Sequence, residues 1–245
     1  MRTLILLLFY AILTILAIPL ILFCFLLRIR QPLILYGRWA LDLSHRILAI
    51  CVEVHGAELV DKKTPYVFMA NHLSILDGPL LFFVIPQFVR VILKKEVYRI
   101  PVIGLGMRFV GFVTVDRKGI QSGKKSLYQA AKLMSEKGVS FLIFPEGTRS
   151  RSGKIQPFRR GGFFLAMDTQ APIVPISING TYALMPKRRF FIKKGNVKVI
   201  FHPPISVQEF DHNKLPILMD RVRGAIQSGI EEKFLKTGEA HASWG

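Results

Sequence analysis

Two cysteines in 245 residues, Cys24 and Cys51, are too few for a disulfide framework or a cysteine-built zinc site. Both lie in apolar surroundings, where a free thiol behaves as a small hydrophobe. Acidic residues are scarce too: 16 Asp plus Glu stand against 34 Lys plus Arg, a formal net charge of +18 with a pI near 10.3. So lopsided a balance points to an anionic partner, whether nucleic acid, a membrane face or a phosphate-bearing substrate. The chain has no helix-turn-helix spacing, zinc-finger pattern or ribonucleoprotein-type aromatic motif, so no nucleic-acid partner is expected. Repeats, low-complexity tracts and internal linkers are absent as well. What the chain has in quantity is apolar residue, 51% of the total, with a mean hydropathy of +0.36. That excludes a disordered tail and an ordinary surface-rich soluble domain.

The longest apolar run, Thr3 to Leu27, carries no charge and is bracketed by Arg2 and by Arg28 and Arg30. As a helix it would reach roughly 37 Å, enough to cross a ~30 Å hydrocarbon core with some tilt. It is long for a signal-peptide core and has no small-x-small cleavage site, so it reads as a retained anchor. Cys24 does not read as a lipoprotein site, because bulky Phe23 precedes it. Pro19 is expected to kink this helix or end its first segment. A second helix is expected from about Leu33 to Val52, with Arg38, Asp42, His45 and Arg46 sharing one face. Either a true span or a helical hairpin dipped into one leaflet fits this pattern. The flanking positive charge places the remainder on the cytoplasmic side.

Beyond about residue 52, short apolar runs alternate with helical patterns. Strands are expected at Val52–His55, Tyr66–Ala70, Val89–Leu93, Phe112–Val115, Val139–Phe144, Ile173–Ile178 and Val197–Phe201, and helices near Ser74–Val84, Gly123–Glu136, Phe158–Thr169 and Lys214–Phe234. The alternation predicts an α/β domain around a mixed, largely buried sheet flanked by helices and preceded by a two-helix membrane element.

Four stretches carry candidate chemistry. In YVFMANHLSILDGP an apolar run ends at Ala70 and Asn71-His72 emerges at a strand end, with Ser74 placed to cap a helix. His72 and Asp77 are five apart; on one regular helix they would diverge by about 140°. With His72 in the turn and Asp77 one turn into the helix, the carboxylate folds back on the imidazole, fixing its tautomer and stabilising an imidazolium. In GFVTVDRKG, Arg117 and Lys118 at a strand end offer a phosphate grip, or a solvated basic turn. FLIFPEGTRSRSG ends a strand in Glu146, Gly147, Thr148 and Arg149, an anion cradle that lacks the P-loop spacing. Glu146 is expected to orient an arginine or a substrate hydroxyl. In APIVPISING, Pro175 inside an apolar run suggests an edge strand or a pocket wall. Elsewhere, Lys187 to Lys194 mixes cations with Phe190 and Phe191, which suits either anionic headgroups or an exposed loop with buried rings. His45, His55, His202, His212 and His241 lack partner motifs and read as structural.

Taken together, in this order and spacing, the four stretches closely resemble the glycerolipid acyltransferase family, specifically bacterial 1-acyl-glycerol-3-phosphate acyltransferases, over about residues 66–180. NHLSILDGP resembles the family's N-H-x4-D block, FVTVDR the second, FPEGTRS the third and IVPISI the fourth. The resemblance implies residues 1–52 as membrane-anchoring helices and residues 53–245 as the acyltransferase domain, at a bacterial cytoplasmic membrane. It implies acyl transfer from acyl-CoA or acyl-acyl carrier protein to the sn-2 hydroxyl of lysophosphatidic acid, giving phosphatidic acid for phospholipid biosynthesis. By the same resemblance His72 is the general base and Asp77 its partner, while Lys94, Arg117, Glu146, Gly147, Thr148 and Arg149 bind substrate. A thioester is already activated, so no metal, cofactor or enzyme nucleophile is expected, and Ser74 reads as a cap. Oxyanion donors are sought among the backbone N–H groups after His72 or near Pro175–Ile176. Another acceptor, such as glycerol 3-phosphate or a different lysophospholipid, fits the same chemistry. A non-catalytic binder of anionic lipid or nucleic acid fits the charge alone.

Overall fold

A computed structural model describes residues 2–115 and 120–234. In chain order the elements are α1 (Arg2–Leu27), α2 (Gln31–Leu48), β1 (Ile50–His55), β2 (Val67–Ala70), α3 (Asp77–Val84), β3 (Val89–Lys94), α4 (Ile103–Val110), β4 (Val113–Val115), α5 (Ile120–Lys137), β5 (Ser140–Ile143), α6 (Gly161–Thr169), β6 (Ile173–Asn179), α7 (Thr181–Leu184), β7 (Gly195–Phe201) and α8 (Leu215–Ser228). The strands form one sheet in the order β1-β7-β6-β2-β5-β3-β4. Every neighbouring pair is parallel except β6–β7. Each expected strand is present, because buried parallel strands announce themselves as short apolar runs between turn residues.

Successive residues of β2 show why the sheet needs helices on both faces. Phe68 and Ala70 enter a core shared with α1, α2 and α3, while Val67 and Met69 enter a second core shared with α5, α6 and α8. All four are fully buried. The helix expected from Ser74 begins at Asp77, and the one expected to reach Val52 ends at Leu48, where Ala49 turns left-handed and the chain enters β1. The helices expected from Phe158 and through Phe234 are α6 and α8, starting at Gly161 and stopping at Ser228. Helix α4, absent from the expected helices, is only eight residues long and carries two glycines.

Pro19 neither ends α1 nor divides it; the helix runs through, and only the Ile15 carbonyl loses its donor. Pro175 is not on an edge. It lies in β6, between β2 and β7. Its carbonyl accepts the His202 N–H at 3.0 Å, so its missing donor faces that same side. The bond forgone is the reciprocal one to the His202 carbonyl, at the end of the antiparallel ladder just before Pro203 and Pro204.

Helix α1 is the one helix among the described residues long and apolar enough to cross a membrane, with a mean hydropathy of 2.9. It lies along the α/β unit instead of standing off it. Leu6, Phe9 and Tyr10 pack into the first core, and further along Phe25 meets Phe109 of α4 at 6.0 Å. Helix α2 is clamped to the end of α3 by Arg38, whose guanidinium donates to the carbonyls of Phe83 and Ile85 at 2.9 and 3.0 Å.

Candidate active site

Strands β2 and β5 are neighbours whose connections leave in opposite directions, β2 into α3 on one face and β5 into α6 on the other. Such a switch point opens a crevice at the carboxyl ends of the strands, where open α/β sheets bind ligands. His72 follows β2 there, and Glu146 follows β5.

The turn from β2 into α3 is organised by one carboxylate oxygen. Asp77 Oδ2 accepts the N–H groups of Leu73 and Ser74 at 2.6 and 2.7 Å and pairs with His72 Nδ1 at 2.9 Å. Asp77 is therefore the first residue of α3, not one turn inside it, and its side chain is fully buried. The Ser74 hydroxyl accepts the Leu76 N–H just ahead of α3 at 3.3 Å, as a capping residue does, and donates to the Met185 carbonyl at 2.7 Å. The N–H groups after His72 are thereby consumed and cannot serve a developing oxyanion; Ile176 lies inside the sheet, fully buried between β2 and β7.

His72 stacks on Phe144, ring centroids 4.0 Å apart and planes 19° apart, and its side chain retains 18% exposure. With Nδ1 engaged by Asp77, a neutral imidazole carries its proton on Nδ1 and presents Nε2 to the crevice as an acceptor.

Glu146 does not orient an arginine. Oε1 accepts the His72 N–H at 2.7 Å, and Oε2 accepts the N–H and side-chain amide of Gln156 at 2.9 and 3.3 Å. The Ser150 N–H donates back to the His72 carbonyl at 2.8 Å. The first and third motifs are thus tied across 74 residues, and Glu146 acts as a positioning residue. Burial pushes its carboxyl pKa up, against the opposing pull of the donors from His72 and Gln156. A carboxyl whose pKa rises on folding favours the native state most in acid, and that advantage disappears as pH climbs through the folded value. In thermal melts in detergent, wild type is expected to lose ground against Glu146→Gln as pH rises from the ordinary carboxylate range towards neutrality; a constant difference in Tm would contradict this.

Gly147 adopts φ +70°, a left-handed conformation that calls for glycine. Thr148 and Arg149 follow, half-buried. A residue that pattern reading missed joins them: Lys187, from the loop after α7, places Nζ 3.3 Å from Thr148 Oγ1 and 3.4 Å from the Arg149 carbonyl. Burial and the guanidinium groups of Arg151, Arg149 and Arg188 push its ammonium pKa down, since both disfavour its charged form. The sequence marks Lys187 only as part of a run of cations and aromatics, and nothing in it links that run to Thr148, 39 residues away. Arg117 lies outside the described residues. Lys94 closes β3, in register with Val115 of β4.

Two cavities border the segment between His72 and Asp77. One of about 240 Å³ lies between α1, α2 and the turn, lined among others by Tyr10, His45, Ile75, Leu76 and Leu80. The other, about 460 Å³, is reached past Leu73 and is walled by Ile155, Ile178, Tyr182 and Ile230.

A carboxylate-steadied imidazole and a cation cluster thus meet at the switch point of an open α/β sheet. The profile of the family described as Acyltransferase matches residues 51–179, and the chain belongs to that family. It is 36% identical over 180 residues to the chloroplastic 1-acyl-sn-glycerol-3-phosphate acyltransferase BAT2 of Brassica napus, covering 73% of this chain and 50% of that one. It is 30% identical over 181 residues to the 1-acyl-sn-glycerol-3-phosphate acyltransferase of Limnanthes douglasii, covering 74% and 64%. The chain therefore spans half to just under two thirds of the length of these relatives. The crystal structure of the 1-acyl-sn-glycerophosphate (LPA) acyltransferase PlsC from Thermotoga maritima aligns over 100% of both chains, with a TM-score of 0.77 at 28% identity.

Proposed function

We propose that this protein transfers a fatty acyl group from a thioester carrier, acyl-CoA or acyl-acyl carrier protein, to the sn-2 hydroxyl of lysophosphatidic acid, giving phosphatidic acid. The observation that carries this reading is the His72–Asp77 pair at 2.9 Å, set beside the cations of Arg149 and Lys187. The names and identities of the relatives support the acceptor. In the step itself, His72 Nε2 takes the proton of the acceptor hydroxyl as its oxygen attacks the thioester carbon. Collapse of the tetrahedral intermediate breaks the C–S bond, and the imidazolium returns the proton to the leaving thiolate. The turn and Asp77 hold the ring throughout. Arg149 and Lys187 hold the phosphate, which fixes the hydroxyl near Nε2. The apolar cavity beside Ile75 and Leu76 suits the acyl chain.

The helical pair holds this site at the bilayer, so the lipid chain of the acceptor need not leave it, at about 0.8 kcal/mol per CH₂. Contacts of α1 with the α/β unit at Phe9 and again at Phe25 lie roughly 24 Å apart along the helix. A helix standing across a membrane would part from the domain after its first turns. The one-leaflet hairpin is therefore the geometry we favour, with the basic face on the cytoplasmic side.

The test is an assay of purified protein with lysophosphatidate and both thioester carriers, against a panel of acceptors with and without phosphate. Lys187→Ala is expected to raise KM for lysophosphatidate roughly tenfold with little change in kcat, one charge-assisted contact being lost. An equal loss on phosphate-free acceptors would remove Lys187 from this role, and no transfer with either carrier would sink the proposal.

A further inference from the structure

Residues 185–194 join α7 to β7 and contain five cations, no acid and the pair Phe190-Phe191. Both ends of this loop are pinned. On the site side, the Met185 carbonyl holds the Ser74 hydroxyl and Lys187 lies against Thr148. On the other side, the Ile192 N–H donates to Thr3 Oγ1 at 3.1 Å, the Lys193 N–H donates to the Leu184 carbonyl at 3.0 Å, and Ile192 packs against the first core. Between the pins the chain turns sharply, with Arg188 at φ +80°, a conformation long side chains seldom adopt.

The tip is not buried. Phe190 is 83% exposed, the highest value of any large apolar side chain among the described residues, and Phe191 is 68% exposed. The Thr3 bond brings this tip beside the first turns of α1, where Leu4, Leu7 and Leu8 are 62–65% exposed. The exposed rings are thus continuous with the apolar face of the anchoring helix.

We infer that the 185–194 loop is a second membrane-docking element, its two phenylalanines entering the bilayer beside α1 while the flanking cations engage anionic headgroups. Rings flanked by Lys and Arg match the layering of an interface, with apolar groups below and cations at headgroup level. Five cations in ten residues call for a negative surface, and the company of Leu4, Leu7 and Leu8 calls for a hydrocarbon one; an anionic bilayer offers both. Since the loop also carries Lys187 and the Ser74 contact, its insertion sets the height of His72 above the lipid hydroxyls. The inference rests on the reading of a lipid-acylating site, and its primary test does not depend on that activity.

Full-length protein is labelled at Phe191→Cys with an environment-sensitive fluorophore, in a Cys51→Ser background; Cys24 is fully buried. It is reconstituted into phosphatidylcholine vesicles with or without phosphatidylglycerol, with a shallow spin-labelled lipid as quencher. Blue-shifted, quenched emission is expected, stronger with phosphatidylglycerol. A label at Tyr128→Cys, on exposed α5 of the opposite face, should report water throughout. The double variant Phe190→Ser, Phe191→Ser is expected to lose roughly tenfold in transfer to lysophosphatidate held in vesicles, and to match wild type on the same lipid in detergent micelles. A water-exposed label on both vesicles overturns the inference, as does a label that responds only to added acyl carrier protein, which would make the loop a protein-docking site. A quenched label on protein that transfers no acyl group leaves the docking element standing and removes the proposed reaction instead.

Discussion

Replacing His72 by alanine is expected to lower kcat by roughly 10²–10⁴-fold, the range a positioned general base supplies, while the protein stays folded. The separation follows from how the residue is held. Its N–H bond to Glu146 and its carbonyl bond from Ser150 belong to the main chain and survive truncation. What is lost is the ring, its stacking on Phe144 and the pair with Asp77. An acceptor alcohol then has no base for its proton, and a thioester does not compensate, since its activation lies on the other reactant. Single-turnover kinetics with a thioester donor, beside a thermal melt, provide the check. Undiminished turnover in a folded variant would end the mechanism.

Asp77→Asn is expected to cost nearly as much in rate, roughly 10²–10⁴-fold, because the carboxylate orients the imidazole and stabilises the imidazolium formed in the transition state. Asparagine keeps the shape. Its carbonyl oxygen can take the place of Oδ2 and accept the N–H groups of Leu73 and Ser74, leaving the amide where Oδ1 has no partner. KM for lysophosphatidate should therefore move little while kcat falls. Asp77→Ala differs in kind: two backbone donors lose their acceptor in a buried turn, at about 1–3 kcal/mol each. A lowered melting temperature in the alanine variant, absent from the asparagine variant, distinguishes the electrostatic role of Asp77 from its structural one. Equal rates in Asp77→Asn and wild type would reduce Asp77 to the structural role.

Much of this site is written locally. His72 and Asp77 are five residues apart and meet through a single turn, so a strand end, a turn and a helix start suffice to bring them together. Even there, a detail escaped. Ser74 has the look of a cap and its hydroxyl does accept the Leu76 N–H, yet that hydroxyl also donates to the Met185 carbonyl, 111 residues away. Glu146 misleads for a different reason. An acid beside Arg149 reads as its ion-pair partner, but the nearest donors in space come from His72 and Gln156.

The order of apolar runs and turn residues alone determined seven strands, an apolar N-terminal pair of helices and the His–Asp turn, since each depends on neighbours a few residues away. Only tertiary structure decided that β2 and β5 lie side by side, that Glu146 braces His72, that Lys187 joins Thr148 and Arg149, and that Phe190 and Phe191 remain in the open beside α1. Those facts depend on which strands the chain pairs and on which faces its helices cover, and contacts spanning tens of residues leave no periodicity in the sequence.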